Sequence, residues 1–129
     1  MIYLDSCILI YAIEQHPKYV ETVHQAIATT DSEFVVSPLV KMECLVKPLM
    51  SGNNEIKKRY EAAFELLMTL SMPEEVYSDA TLLRARFRLK TPDALHLSCA
   101  QYHNCSALWT NDNRLAKGGH GLPVNVLSG

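Results

Sequence analysis

The chain has 129 residues, 48% hydrophobic and 20% charged, and its twelve Lys and Arg against 14 Asp and Glu leave a net charge of −2. A chain of this size buries about two-thirds of its unfolded surface, enough for a core without disulfide or metal staples, so disorder and collagen-like repeats are excluded. The charge balance excludes a strongly basic coat protein for nucleic acid, and no apolar run approaches the roughly 18 residues of a membrane span.

Residues 1–4 form a continuous apolar run ending at Asp5, the pattern of a strand buried on both faces of a parallel sheet. A helix is predicted over 6–14. Another begins at Pro17, with Val20, Val23 and Ile27 as its inner stripe. Residues 34–36 read as a second strand, closed by Ser37-Pro38, an N-cap followed by proline, and the helix so started carries Glu43 to about Pro48. Ser51-Gly52-Asn53-Asn54 is a loop. Ile56, Tyr60, Ala63, Phe64 and Leu67 then recur at helical spacing, as do Val76, Ala80, Leu83 and Phe87. Thr91-Pro92-Asp93 repeats the cap-plus-proline signal and opens an apolar helix to about His103. Residues 107–109 are a third strand, a short helix runs from Asn113 to Gly118-Gly119, and 124–127 make a last strand. Strands alternating with helices predict a three-layer α/β/α fold with a central, mostly parallel sheet, as a single domain over 1–129.

Cys7, Cys44, Cys99 and Cys105 lack Cys-x-x-Cys or framework spacing and are expected to be reduced. The apolar stretch 7–13 is preceded by Asp5 and by no Lys or Arg, the reverse of a secretory signal, so a cytoplasmic protein is expected.

Ligands of open α/β sheets sit at the carboxyl ends of the strands. Asp5 and Asp112 fall there, Asp93 lies in the first turn of a helix, and Glu43 sits about two turns into another. Each has a bland explanation. Asp93 favours the helix dipole, and Asp112 caps the helix of Arg114 and Leu115. Asp5 is harder to explain, since an acid ending an apolar strand is costly unless something binds it. Were the four to converge, their mutual repulsion would call for cations, and an all-oxygen set favours Mg²⁺ or Mn²⁺ over zinc. Convergence itself is not contained in spacing.

The residues around these acids resemble the PIN-domain family, and within it the VapC-type toxins of toxin–antitoxin pairs, over nearly the whole chain. Ile2-Tyr3-Leu4-Asp5-Ser6 is similar to the first-acid segment, and 37–43, ending in Glu43, to the second. Thr91-Pro92-Asp93-Ala94-Leu95-His96-Leu97 matches the third-acid signature almost word for word. Thr110-Asn111-Asp112-Asn113-Arg114-Leu115 resembles the fourth, and 122–127 the closing strand. Cys7 departs from the family's usual small or aliphatic residue. The resemblance implies a Mg²⁺- or Mn²⁺-dependent endoribonuclease with catalytic Asp5, Glu43, Asp93 and Asp112. Asp5, Asp93 and Asp112 would bind metal directly, while Glu43 would act through water or accept the nucleophile's proton. Thr110 and Ser6 would orient water or a carboxylate, Ser6 having a helix N-cap as its alternative. The resemblance also implies a homodimer and a small antitoxin partner, with the exposed sides of helices 7–14 and 43–50 as contact surfaces.

RNA contact requires basic residues, because an acidic pocket repels phosphate. Arg114 and Lys117 follow Asp112 directly. Arg86 lies in the Arg84, Arg86, Arg88, Lys90 run, which is split between two helical faces and reads equally as a solvated surface.

Other constellations compete. His96, Cys99 and His103 share a helical face with Cys105 beyond, a zinc spacing, but the apolar helix favours a buried core histidine and thiol. A haloacid-dehalogenase-like phosphatase needs an acid where Cys7 stands. A receiver domain needs an acceptor Asp ending a middle strand, which the central stretch lacks. The remaining alternatives are a non-catalytic PIN-like interaction module and a stand-alone PIN nuclease without an antitoxin. A clustered, self-repelling set of four acids has no use in a scaffold.

Overall fold

The computed structural model describes residues 1–127, so the last two residues of the expected 1–129 domain lie outside the described residues. Its frame is a five-stranded sheet of β1 (Ile2–Leu4), β2 (Phe34–Val36), β3 (Met68–Thr69), β4 (Ala107–Trp109) and β5 (Pro123–Val124), in the order β3-β2-β1-β4-β5. All four pairings are parallel, with Ile2 opposite both Phe34 and Ala107. Parallel strands need crossovers, which here are α1 (Ser6–Ile13), α2 (Val20–Ala28), α3 (Pro38–Ser51), α4 (Asn54–Leu66), α5 (Glu74–Phe87) and α6 (Thr91–Tyr102). The helices cover the sheet, as the α/β/α expectation requires. One packed group joins α1 to α2, α3 and α4, another joins α5 to α6 and the 3₁₀ turn Asn113–Gly118, and α3 also touches α6.

Coverage explains the strand compositions. β1 is buried along its whole length and therefore reads Ile-Tyr-Leu without polar alternation. Tyr3, Ile8, Val23, Val35, Val36, Val40, Leu97, Leu108 and Leu115 are fully buried and fill the space between sheet and helices. Gly52 closes α3 in the left-handed conformation that glycine tolerates, and Asn53 caps α4 through its side chain. No helix among the described residues is long and apolar enough to cross a membrane. The four cysteines are free, with Cys7 half-buried and the others buried.

Several boundaries differ from the sequence expectation. The second helix begins at Val20, not Pro17. α3 continues past Pro48 to Ser51; Pro48 lies in the final turn, where its missing N–H costs one hydrogen bond without ending the helix. The α6 N-cap is Lys90, so Thr91 is the first helical residue and does not cap. The closing strand is Pro123–Val124, and residues 125–127 lie beyond it. β3 was not anticipated, because two exposed residues directly after a helical pattern carry no period of their own.

Gly119 has φ −93, a conformation open to any residue, so its backbone does not require glycine. Contact does: a Cβ there would lie 1.9 Å from Pro123 Cδ, in the segment that brings β5 against β4. Gly119→Ala is expected to lower stability by about 1–3 kcal/mol through overpacking, measured by chemical denaturation.

Candidate active site

The chain adds β2 and β3 on one side of β1, then returns to place β4 and β5 on the other. This reversal opens a crevice between β1 and β4 at their carboxyl ends, where Asp5 and Thr110 stand. Asp5 is only 9% exposed, and both its oxygens are held. Oδ1 accepts from the Ser6 backbone N–H at 2.7 Å and caps α1, while Oδ2 accepts from Thr110 Oγ1 at 2.8 Å. Thr110 Oγ1 in turn accepts the Asp112 backbone N–H at 3.1 Å, tying together the two chain ends that carry acids. Ser6 is therefore the first residue of α1, with Asp5 in the capping place expected for Ser6.

Glu43 reaches the crevice from α3 and Asp93 from the first turn of α6. Asp112 caps the 3₁₀ turn through the Arg114 N–H and also receives the Arg114 guanidinium, with Nη2 at 2.6 Å from Oδ2. Asp5, Glu43, Asp93 and Asp112 all line one open cleft of about 440 Å³, together with Ser6, Cys7, His96, Asn111 and Arg114. The dipole and cap explanations of Asp93 and Asp112 hold locally, but they do not displace the convergence.

The electrostatics follow from what each acid touches. The Arg114 hydrogen bond draws the Asp112 carboxyl below its usual range. Burial pushes the Asp93 carboxyl up, and the charges of Asp112 and Asp5 push it further. No side-chain donor bonds Asp93 among the described residues. Burial pushes the Cys7 thiol up to about 12, so Cys7 stays protonated and is no nucleophile.

His96 is the residue that the sequence expectation placed in the core without a task. It is buried, 1% exposed, but its Nε2 lies 2.6 Å from Glu43 Oε1 and 3.6 Å from Asp5 Oδ1. Its Nδ1 lies 2.6 Å from the Tyr3 hydroxyl, which is 2.6 Å from Ser37 Oγ. The signal was in the spacing: Asp93 and His96 stand three apart in α6, hence on one helix face. The zinc spacing does not become a zinc site. His96 turns to the acids, whereas Cys99 Sγ and His103 Nε2 both bond the Ser71 carbonyl. Among the described residues, the metal-ligating donors found within 4.8 Å of one another are those of Asp5, Glu43 and His96. A carboxylate-dominated donor set with uncompensated negative charge suits a hard divalent cation.

Beside the acid cleft lies a second hollow of about 250 Å³ that shares Asp93 and Arg114 and adds Arg88, Lys90 and Lys117. Lys117 and Arg114 thus stand where sequence placed them, at the acid edge. Arg86 is exposed on α5 and lines neither hollow, whereas Arg88 and Lys90 of the same run line the second.

A family model described as PIN domain matches residues 2–120. Solved structures superpose over nearly the whole chain. A toxin–antitoxin complex from Klebsiella pneumoniae has a TM-score of 0.81 at 22% identity, covering 98% of each chain. The VapBC2 structure from Rickettsia felis, bound to a promoter DNA fragment, has 0.76 at 20% identity, covering 97% of this chain and 98% of that one. VapC20 from Mycobacterium tuberculosis, described as a sarcin–ricin loop cleaving toxin, has 0.79 at 11% identity, covering 92% and 95%. No curated protein matches the chain by sequence.

An acid whose carboxyl is raised in the folded state stabilises the fold only while protonated and costs stability once charged. At pH 7 without divalent metal, Asp93→Asn is therefore expected to raise the melting temperature. The gain should shrink as pH falls through the raised Asp93 carboxyl and be gone below about pH 3, where Asp93 is protonated in the folded and unfolded chain alike. Thermal melts in EDTA across that range check both halves.

Proposed function

The chain belongs to the PIN-domain family, and on that premise we propose that it is a Mg²⁺- or Mn²⁺-dependent endoribonuclease acting as the toxin of a toxin–antitoxin pair. The observation that carries the proposal is the meeting of Asp5, Glu43, Asp93 and Asp112 in one cleft against a basic hollow. The acids would hold a cation and the bases would hold the RNA phosphates that the acids repel. The description of the VapC20 neighbour as a toxin that cleaves the sarcin–ricin loop supports RNA as the polymer.

Asp5, Asp93 and Asp112 are the direct ligands in this reading. When bound, such a cation polarises a phosphate oxygen and lowers the pKa of a water. Glu43 contacts the metal through water or takes the proton of the attacking water. Thr110 and the Ser6 N–H fix the Asp5 carboxylate, so its oxygens need not reorganise as the phosphate changes charge. Arg114, Lys117, Arg88 and Lys90 receive the flanking phosphates.

Two surfaces fit the partners. Along α3, Met42, Val46, Leu49 and Met50 leave large apolar side chains exposed, the last by 82%, a face suited to a second copy of the chain. An apolar hollow of about 280 Å³ between α1, α2 and α4, lined among others by Leu9, Ile13, Ile27 and Leu66, suits an antitoxin segment. The toxin–antitoxin complexes among the structural neighbours support that partner. An RNA substrate and four free cysteines fit a cytoplasmic protein. A non-catalytic PIN-like module is disfavoured, since a charged Asp93 with no side-chain donor among the described residues costs stability that a scaffold has no reason to carry.

Purified protein should cut a structured-RNA pool with Mg²⁺ or Mn²⁺, and both EDTA and Asp93→Asn should reduce the cleavage rate at least about 100-fold. Cleavage that Asp93→Asn retains would reject the assignment. Replacing Arg114 and Lys117 together by Ala should raise KM more than it lowers kcat, and flatten the salt dependence of binding.

A further inference from the structure

We infer that His96 is a positioning residue for Glu43 and not a ligand in the acid cleft, because a one-directional chain of hydrogen bonds places its proton on Nε2. The chain crosses three elements. Val40 N–H donates to Ser37 Oγ at 3.4 Å at the start of α3, Ser37 Oγ lies 2.6 Å from Tyr3 Oη on β1, and Tyr3 Oη lies 2.6 Å from His96 Nδ1 on α6. His96 Nε2 then meets Glu43 Oε1 at 2.6 Å, back on α3.

The direction follows from counting donors and acceptors. Ser37 is fully buried, and among the described residues its hydroxyl has two partners: the Val40 N–H, which only donates, and Tyr3 Oη. The Ser37 proton therefore has one acceptor, Tyr3 Oη. Tyr3, also fully buried, then has one place for its own proton, His96 Nδ1. A nitrogen that accepts carries no hydrogen, so the ring proton sits on Nε2 and points at the Glu43 carboxylate, which only accepts. Reversing the Ser37–Tyr3 link strands the Ser37 proton, and reversing the Tyr3–His96 link alone strands the Tyr3 proton, each in a site closed to water, disfavouring either arrangement by roughly tenfold or more.

Two consequences separate this from simple proximity. Nε2, although it lies with Asp5 and Glu43 oxygens inside 4.8 Å, has no lone pair to offer a cation. Glu43 has Oε1 occupied and, among the described residues, Oε2 free of side-chain donors, so it presents one oxygen to the cleft in a set orientation. The chain also accounts for a tyrosine in an otherwise aliphatic strand: the phenol is what carries the proton order from the α3 cap to the histidine.

The inference rests on the proposed metal site only in taking Glu43 as part of it, and its first test needs no metal. Long-range ¹H–¹⁵N correlation on the full chain, with His96 assigned by its loss in His96→Gln, should show the Nε2–H tautomer with a hydrogen-bonded Nδ1. In Tyr3→Phe the Nδ1 signal should move toward that of an unbonded ring nitrogen while the backbone amide spectrum stays dispersed. Mn²⁺ titrated into the wild type should show no coordinated imidazole nitrogen by pulsed EPR. His96→Gln, which keeps an N–H donor, should hold Mn²⁺ within about threefold of wild type, and His96→Leu should weaken it about 10- to 100-fold. A proton on Nδ1, a nitrogen bound to Mn²⁺, or wild-type affinity in His96→Leu would each overturn the inference. A wild type that binds no Mn²⁺ would instead sink the metal-dependent nuclease reading, and the tautomer would still decide this one.

Discussion

Four carboxylates drawn into one cleft repel each other, and the surrounding structure is arranged around that repulsion. Three of the four are held by donors that a folded chain alone can supply. Asp5 takes the α1 N-terminus and Thr110, Glu43 takes His96, and Asp112 takes Arg114. Asp93 takes none among the described residues, and burial with the neighbouring acids displaces its carboxyl upward. The fold therefore holds the acids ready and leaves the remaining negative charge to be met from outside.

The same donors make the cleft rigid. Asp5 is fixed from both sides by groups at the ends of two neighbouring strands, β1 and β4, whose parallel pairing brings Leu4 opposite Trp109. Glu43 is fixed by a histidine that is itself fixed through Tyr3 from the cap of the helix that carries Glu43. Buried polar groups of this kind are costly unless each is satisfied, and no buried side-chain nitrogen or oxygen among the described residues lacks a partner. Positive charge is kept at the rim instead: Arg88, Lys90, Arg114 and Lys117 share a hollow with Asp93. Acid centre and basic edge sit side by side, so a polyanion can approach without crossing the region that repels it.

The sequence by itself determined the layers and the acids. Hydrophobic runs and helical stripes, the Ser37-Pro38 cap and the Asn53 cap act over a few residues, and they place α1, α3, α4, α5, α6 and the three central strands to within a turn. Asp5 stood out because an acid ending a buried strand has no local explanation. Signals failed where an element was shorter than its period, as in the two-residue β3, or where a single residue had to choose between cap and first turn, as at Ser6 and Thr91.

Only the tertiary structure decided that the acids meet and which groups hold them. Tyr3 and His96 are 93 residues apart, Asp5 and Thr110 are 105 apart, and Glu43 and His96 are 53 apart. Each contact depends on the strand order β3-β2-β1-β4-β5, which sets β1 between the second and fourth strands of the chain. Local periodicity records which face of an element is buried. It does not record which element will lie against that face, so His96 read as core, and its partner across the cleft was legible only once the sheet had closed around it.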